Sequence, residues 1–295
     1  MRCGFVAEHA NAKELEVNRL CTLMEVSRSS YYHWSRAIEE RHLSVEAEKE
    51  LYLKIVAEFT ASRKTYGTIR VWKRLLRQGV SCSRRQVGDI MRKNRLISVY
   101  ALKKRRSVVT TDSSKTKAPA ENLLNRNFTA KAVNEKWVGD VTFIRTPEGW
   151  LYLATVIDLF SRKVVGYGLS RRNDAKLACD AFKMAVARRK QAKHLIYHSD
   201  RGSVYASKEF KDLLSANSIS PSMSRKGNCW DNAVAESFFD TLKTEVVFEK
   251  TFKLMLSYVS EIIDWIEKFY NPQRMHSSIG YCSPDEFELI HAGNM

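Results

Sequence analysis

The pattern of apolar positions changes character partway along the chain. Up to about residue 98 apolar residues recur at three- and four-residue spacing, as on amphipathic helices. From about residue 135 they alternate or run together and are rich in β-branched and aromatic types, as in strands. The first region reads as two helical blocks. From Lys13 to Ala37, the runs ELEVNRLCTLMEV and SRSSYYHWSRA predict two helices with a turn between them. Ser27 stands at the N-cap of the second, which presents Arg28, Ser29, Tyr31 and Tyr32 in its first turns. A second block begins at Ser44 with SVEAEKELYLKIVAEF, where Ala47, Leu51, Ile55, Val56 and Phe59 fall at helical spacing. It continues through YGTIRVWKRLLRQG and SRRQVGDIMRKNRL, punctuated by Gly67 and Gly79, with Ser83 opening the last helix.

Residues 99–127 lose this periodicity, turn basic and then rich in Ser, Thr and Lys, and read as a linker. Beyond them, EKWVGDVTFIRT, a turn at Pro147-Glu148-Gly149, WLYLATVIDLF and KVVGYGLS predict three antiparallel strands. A helix from Asp174 to Arg189, a short strand HLIYHSD and a helix from near Ser207 follow. That order describes an α/β sheet of the ribonuclease H-like kind. The expected organisation is a helix-turn-helix segment over 1–40, a second helical module over 41–98, a linker over 99–127 and the α/β core with a helical C-terminal extension over 128–295.

Charge makes the helical half more specific. Of 49 Lys and Arg against 33 Asp and Glu, residues 1–130 hold 26 basic and 13 acidic side chains, leaving the rest nearly balanced. A one-sided excess of cations suits a polyanion, because neutralising phosphates releases condensed counterions. Either helical block alone is equally an ordinary hairpin or a solvated basic face. Two in series favour a DNA-binding reading, with Arg84, Arg85, Arg92, Lys93 and Arg95, together with Arg28, as candidate DNA contacts. On this view residues 1–98 carry most of the DNA affinity.

Composition removes other classes. An apolar share of 44% argues for a packed core, and no window of about 18 uninterrupted apolar residues offers a membrane span. The six cysteines form no CxxC pair and the N-terminus shows no signal peptide, which points to a reducing cytoplasm without a zinc knuckle or disulfide framework.

The candidate chemistry is acidic. Asp140 sits inside a strand on the face of Val138 and Thr142, where a carboxylate is costly unless compensated. Asp200 ends HLIYHSD, at the carboxyl end of a strand, where open α/β sheets place their sites. Glu236 lies in DNAVAESFFDTLKTE, a helix capped by Asp231 or Asn232. Converged, these hard oxygen donors suit two Mg2+ ions, with Mn2+ as a substitute.

Thirty-five residues separate Asp200 from Glu236, and Lys243 follows two helical turns later. With the runs HSDRGSVY, SRKGNCWDNA and YNPQRMHSS, the chain resembles the DDE transposase and retroviral integrase superfamily, and more narrowly the two-frame insertion-sequence transposases of bacteria. The resemblance covers nearly the whole chain, though the His and Cys pairs of the integrase zinc module are missing. It implies cleavage of a 3′ strand at the element's ends and attack of the freed 3′-hydroxyl on another phosphodiester. Asp140, Asp200 and Glu236 would be the metal ligands, with Lys243 on the DNA backbone and Arg201 and Asn232 in support. It further implies terminal inverted repeats and target DNA as partners, a homo-oligomer on DNA, an upstream-frame protein fused to or acting with this chain, and a place in the bacterial nucleoid.

Asp158 follows a strand and is assigned a structural or supporting role. His198 is either a ligand or an orienting and packing residue, the second favoured. Trp137, Trp150, Trp230 and Trp265 are core or stacking residues, which the sequence does not separate. Two rivals remain: a ribonuclease H-like nuclease that only hydrolyses, and a non-catalytic DNA-binding regulator.

Overall fold

The structure, a computed structural model, describes residues 1–11, 16–102, 120–189, 194–225, 229–247 and 252–292. They form two compact units, Met1–Ala61 with Val71–Leu96, and Ser62–Arg70 with Ile97–Met295.

The first unit is helical. It contains α1 (Arg2–Asn11), α2 (Val17–Leu23), α3 (Arg28–Ala61), most of α4 (Thr68–Arg77) and α5 (Arg84–Lys93). Val6, Leu20, Cys21 and Tyr31 make one small core, and Ser27 caps α3 by accepting the Ser30 N–H at 3.1 Å. The sequence pattern predicts a break between Ala37 and Ser44, yet α3 runs unbroken through it. Residues 38–50 contain neither Gly nor Pro and are dominated by Glu, Arg, Ala, Lys and Leu, so helix propensity carries the chain where apolar periodicity lapses. Ser83 and Gln86 close a reciprocal capping box on α5, which buries Val87, Ile90 and Met91.

The second unit holds α6 (Val99–Leu102) and a five-stranded sheet of β1 (Lys136–Thr146), β2 (Gly149–Asp158), β3 (Val164–Ser170), β4 (Ile196–Ser199) and β5 (Ser220–Met223). Its other helices are α7 (Ala175–Arg188), α8 (Ser203–Ala206), α9 (Lys208–Ala216), α10 (Ala233–Leu242), α11 (Met255–Asp264) and α12 (Pro284–His291). Strand order is β3-β2-β1-β4-β5, with β1 to β3 antiparallel and β4 and β5 parallel to β1 and to each other. This is the expected mixed α/β, ribonuclease H-like core.

Strand alternation divides the core in two. Trp137, Ala154, Val156 and Val165 pack with α7, α8 and α9, while Val138, Ile144, Leu151, Leu153 and Ile157 pack with α10 and α11. A β-carbon on Gly166 would fall 2.2 Å from the Ala181 carbonyl oxygen, so α7 lies close on the sheet only because that residue is glycine. Strand β5 was not foreseen. Its Pro221 weakens the strand signal and is tolerated because the strand is an edge.

Two stretches depart from the sequence reading. Ser62–Arg70, expected within the helical DNA-binding module, belongs to the second unit. There Arg63 pairs with Glu261 at 3.2 Å and Asp264 at 2.8 Å, and the Tyr66 hydroxyl donates to the Gln273 carbonyl and accepts the Met275 N–H. The expected linker begins as α6 and ends with Leu124 buried in the core, while residues 103–119 lie outside the described ones. No helix among the described residues is long and apolar enough to cross a membrane.

Candidate active site

The sheet register sets the centre of the site. Gly139 pairs with Ser199 across the parallel β1–β4 ladder, so the next residues, Asp140 and Asp200, leave neighbouring strands at the same level. Adjacent strands lie about 4.8 Å apart, which puts the two carboxylates side by side. Helix α10 packs against β1 and carries Glu236 in its first turn, and Lys243 stands where α10 passes into a π-helical turn, Lys243–Val247.

Electrostatics tie these four side chains together. The Asp140 carboxyl is raised well above the usual range, first by burial, then by the charge of Asp200 and more weakly by that of Glu236, against the Val141 N–H and Lys243. Burial also raises Asp200, opposed by the Gly202 N–H, and raises Glu236, the most exposed of the three. Burial lowers the Lys243 ammonium, and the attraction of Asp140 and Asp240 opposes it. Carboxylates that crowd one another and are partly desolvated favour either a shared proton or a bound cation.

One oxygen of each aspartate is turned into its own backbone: Asp140 Oδ1 accepts from Val141 at 2.8 Å, and Asp200 Oδ1 from Gly202 at 2.8 Å. Among the described residues no three His, Cys, Asp or Glu side chains are gathered closely enough to hold a metal ion. The chemistry of the donors still fits a hard divalent cation, since all three are carboxylates and Asp140 feels the charge of the other two.

The neighbouring side chains are bonded for the most part to protein atoms. His198 is fully buried, with Nδ1 2.8 Å from Ser222 Oγ and Nε2 2.9 Å from the Asp231 carbonyl oxygen. That carbonyl requires a proton on Nε2, leaving Nδ1 to accept from Ser222, and burial keeps the ring neutral. Both nitrogens are spent on protein atoms, so neither points at a metal. Arg201 Nε donates to the Ser224 carbonyl at 2.8 Å. Asp158 ends β2 opposite Trp137, three positions before Asp140 on β1, and its carboxylate accepts the Asn134 and Phe160 N–H groups.

Asn232 stands at the N-cap of α10, but its side chain makes no capping hydrogen bond, and both amide atoms are buried without a partner. The sequence expectation of a cap at Asp231 or Asn232 is corrected by this geometry. The Asp231 carboxylate is occupied instead by Arg225, through its backbone N–H and guanidinium, and by Arg126 and Asn122. Those cations hold its carboxyl far below the usual range and pin the segment that leads into Glu236. Sequence reading missed this clamp, because Arg126 and Asp231 are over a hundred residues apart.

The candidate DNA contacts of the helical region lie in the first unit, all exposed, while Lys243 is half-buried in the second. Asp89 pairs with Arg92 at 2.9 Å and Arg85 at 3.7 Å, and Glu48 pairs with Lys93 at 2.6 Å. Arg28 reaches Asn18 at 3.4 Å. Arg84 and Arg95 meet no carboxylate among the described residues. Exposed pairs of this kind are worth little and yield readily to phosphate.

Comparison with known proteins gives a consistent assignment. Residues 130–229 and 217–284 match two models described as integrase core domain, and residues 46–105 match a helix-turn-helix-like domain. The chain is 36% identical over 288 residues to transposase InsF for insertion sequence IS3A of Escherichia coli strain K12, covering 98% of each chain. It is 37% identical over 268 residues to an uncharacterized 31 kDa protein of insertion element IS600 from Shigella sonnei, covering 91% of this chain and 97% of that one. Among solved structures, the catalytic core of HTLV-2 integrase in complex with magnesium aligns at a TM-score of 0.41 and 17% identity, over 53% of this chain and 97% of that one.

Proposed function

The chain belongs to the insertion-sequence transposases with an integrase core, polynucleotidyl transferases that move DNA, and we propose that Asp140, Asp200 and Glu236 carry its chemistry by holding two divalent metal ions. The observation that carries this reading is the parallel register that sets Asp140 beside Asp200, with Lys243 drawn to Asp140.

The implied reaction has two balanced steps. Water attacks a phosphodiester at the element's end, the bond to the 3′ oxygen breaks, and that oxygen leaves as a 3′-hydroxyl. This hydroxyl then attacks a target phosphodiester, forming a new P–O bond as the target's own 3′ oxygen departs. No outside energy source is needed, because the first step is a hydrolysis and the second exchanges one phosphodiester for another. When bound, Mg2+ or Mn2+ supplies charge neutralisation at the phosphate and lowers the proton affinity of the attacking oxygen. The protein's share is placement: β1 and β4 hold two carboxylates at one level, α10 brings the third, and Lys243 offers a cation to the DNA backbone beside the cut. In-line phosphoryl transfer depends on such positioning and electrostatics more than on a covalent nucleophile.

The helix-turn-helix-like region supports binding to the element's inverted repeats, with Arg84, Arg85, Arg92, Lys93, Arg95 and Arg28 as phosphate contacts. We assign assembly on DNA as a homo-oligomer, and joint action with an upstream-frame segment, to the same reading. A single assay tests the core of it. Labelled repeat-end duplex incubated with Mg2+ should give a nicked 3′ end and, with target DNA added, joined product. Cleavage without joining would instead mark a nuclease. Cleavage that survives Asp200→Asn would remove the three carboxylates from the mechanism.

A further inference from the structure

A second heavily bonded carboxylate, besides that of Asp231, also lies outside the three above. Glu245 is fully buried in the π-helical turn that starts at Lys243, and Arg274 donates to it through Nε at 3.0 and 3.1 Å and through Nη2 at 2.8 Å. The Trp265 indole N–H adds a bond at 3.1 Å, and the Tyr100 hydroxyl donates another at 2.6 Å. Arg274 also donates to the Tyr100 oxygen at 3.0 Å. A buried ion pair assembled this fully costs desolvation and is weak evidence for stability alone, which leaves room for a role beyond holding the fold.

The placement suggests one. Residues four apart lie on one face of a helical turn, and the residue midway between them lies on the opposite face. Tyr100 therefore grips the face that carries Glu245, two residues past Lys243 and opposite it. Lys243 itself is drawn to Asp140. A π-helical turn has a looser ladder than an α-helix and recurs at functional positions, so its direction needs fixing from outside.

We infer that Tyr100, Glu245 and Arg274 form a positioning latch that holds the Lys243 turn toward Asp140, closed by a side chain from within the helix-turn-helix-like match. This rests on the proposed role of Lys243. Tyr100 supplies the gripping hydroxyl from α6, and Arg274 comes from the YNPQRMH run near the other end of the chain. None of the three touches substrate. They act through Lys243.

The test uses the full-length protein and an end-labelled duplex of the inverted repeat flanking its gene. Tyr100→Phe keeps the ring and removes the hydroxyl. At saturating DNA and Mg2+ it should slow single-turnover cleavage about tenfold while DNA affinity stays unchanged. In a Lys243→Ala background, Tyr100→Phe should have no further effect. A Tyr100→Phe enzyme that cleaves at the wild-type rate, or one that slows the Lys243→Ala protein by the same factor as the wild type, overturns the latch. Cleavage that persists in Asp200→Asn, read in the same assay, overturns the proposed function instead.

Discussion

A β-carbon on Gly139 would lie 1.8 Å from the hydroxyl oxygen of Tyr197, far inside non-bonded contact. Tyr197 is fully buried on β4, three residues before Asp200, and Gly139 immediately precedes Asp140. The close approach of β1 to this ring is thus part of what sets the spacing of the two carboxylates.

Gly139→Ala should accordingly destabilise the protein by about 1 to 3 kcal/mol, the usual cost of overpacking a rigid interior. Urea denaturation reads the loss directly. An unchanged midpoint would show that the strands separate freely, and the register argument for the site would weaken with it.

Acid dependence should reveal Asp158. Burial raises its carboxyl to about 6, against an ordinary value of 3.8. The folded state therefore holds the proton more tightly, so Asp158's contribution is complete below about pH 4 and is lost as pH rises to about 6. Relative to Asp158→Asn, the wild type should lose stability across that window by an amount of order 2 kcal/mol. Melting curves at pH 4, 5 and 6 measure the difference. A gain with rising pH would contradict the assignment.

Metal dependence should be absolute for chemistry and minor for binding. Chelation with EDTA should stop cleavage and joining, and Mg2+ or Mn2+ should restore both. Asp140→Asn, Asp200→Asn and Glu236→Gln should each lower cleavage by at least about a hundredfold. Gel-shift affinity for repeat-end DNA should stay near that of the wild type in all three.

DNA affinity should be salt-dependent and should map to the first unit. Removing Arg84 and Arg92 together should reduce the slope of log affinity against log salt by about 2, near one for each phosphate no longer neutralised. A slope equal to the wild type would place the phosphate-binding cations elsewhere. Deleting residues 1–98 outright is not a clean test, because Arg63 and Tyr66 are bonded into the second unit.

The sequence by itself determined what is local or periodic: the helical first part, the first four strands in order, the caps at Ser27 and Ser83, and the three carboxylates that fall at the end or in the middle of such elements. These are legible because a strand's two-residue repeat, a cap's hydroxyl and a motif's spacing lie within a few residues of one another. Only the tertiary structure decided the rest. It joined Ser62–Arg70 to the second unit, continued α3 through the expected break, added β5 at the edge, and turned both nitrogens of His198 away from any metal. It also brought Arg126 to Asp231, and Tyr100 and Arg274 to Glu245. Each of those pairings spans many intervening residues, and whether a buried charge finds its partner across such a distance depends on packing that no local pattern encodes.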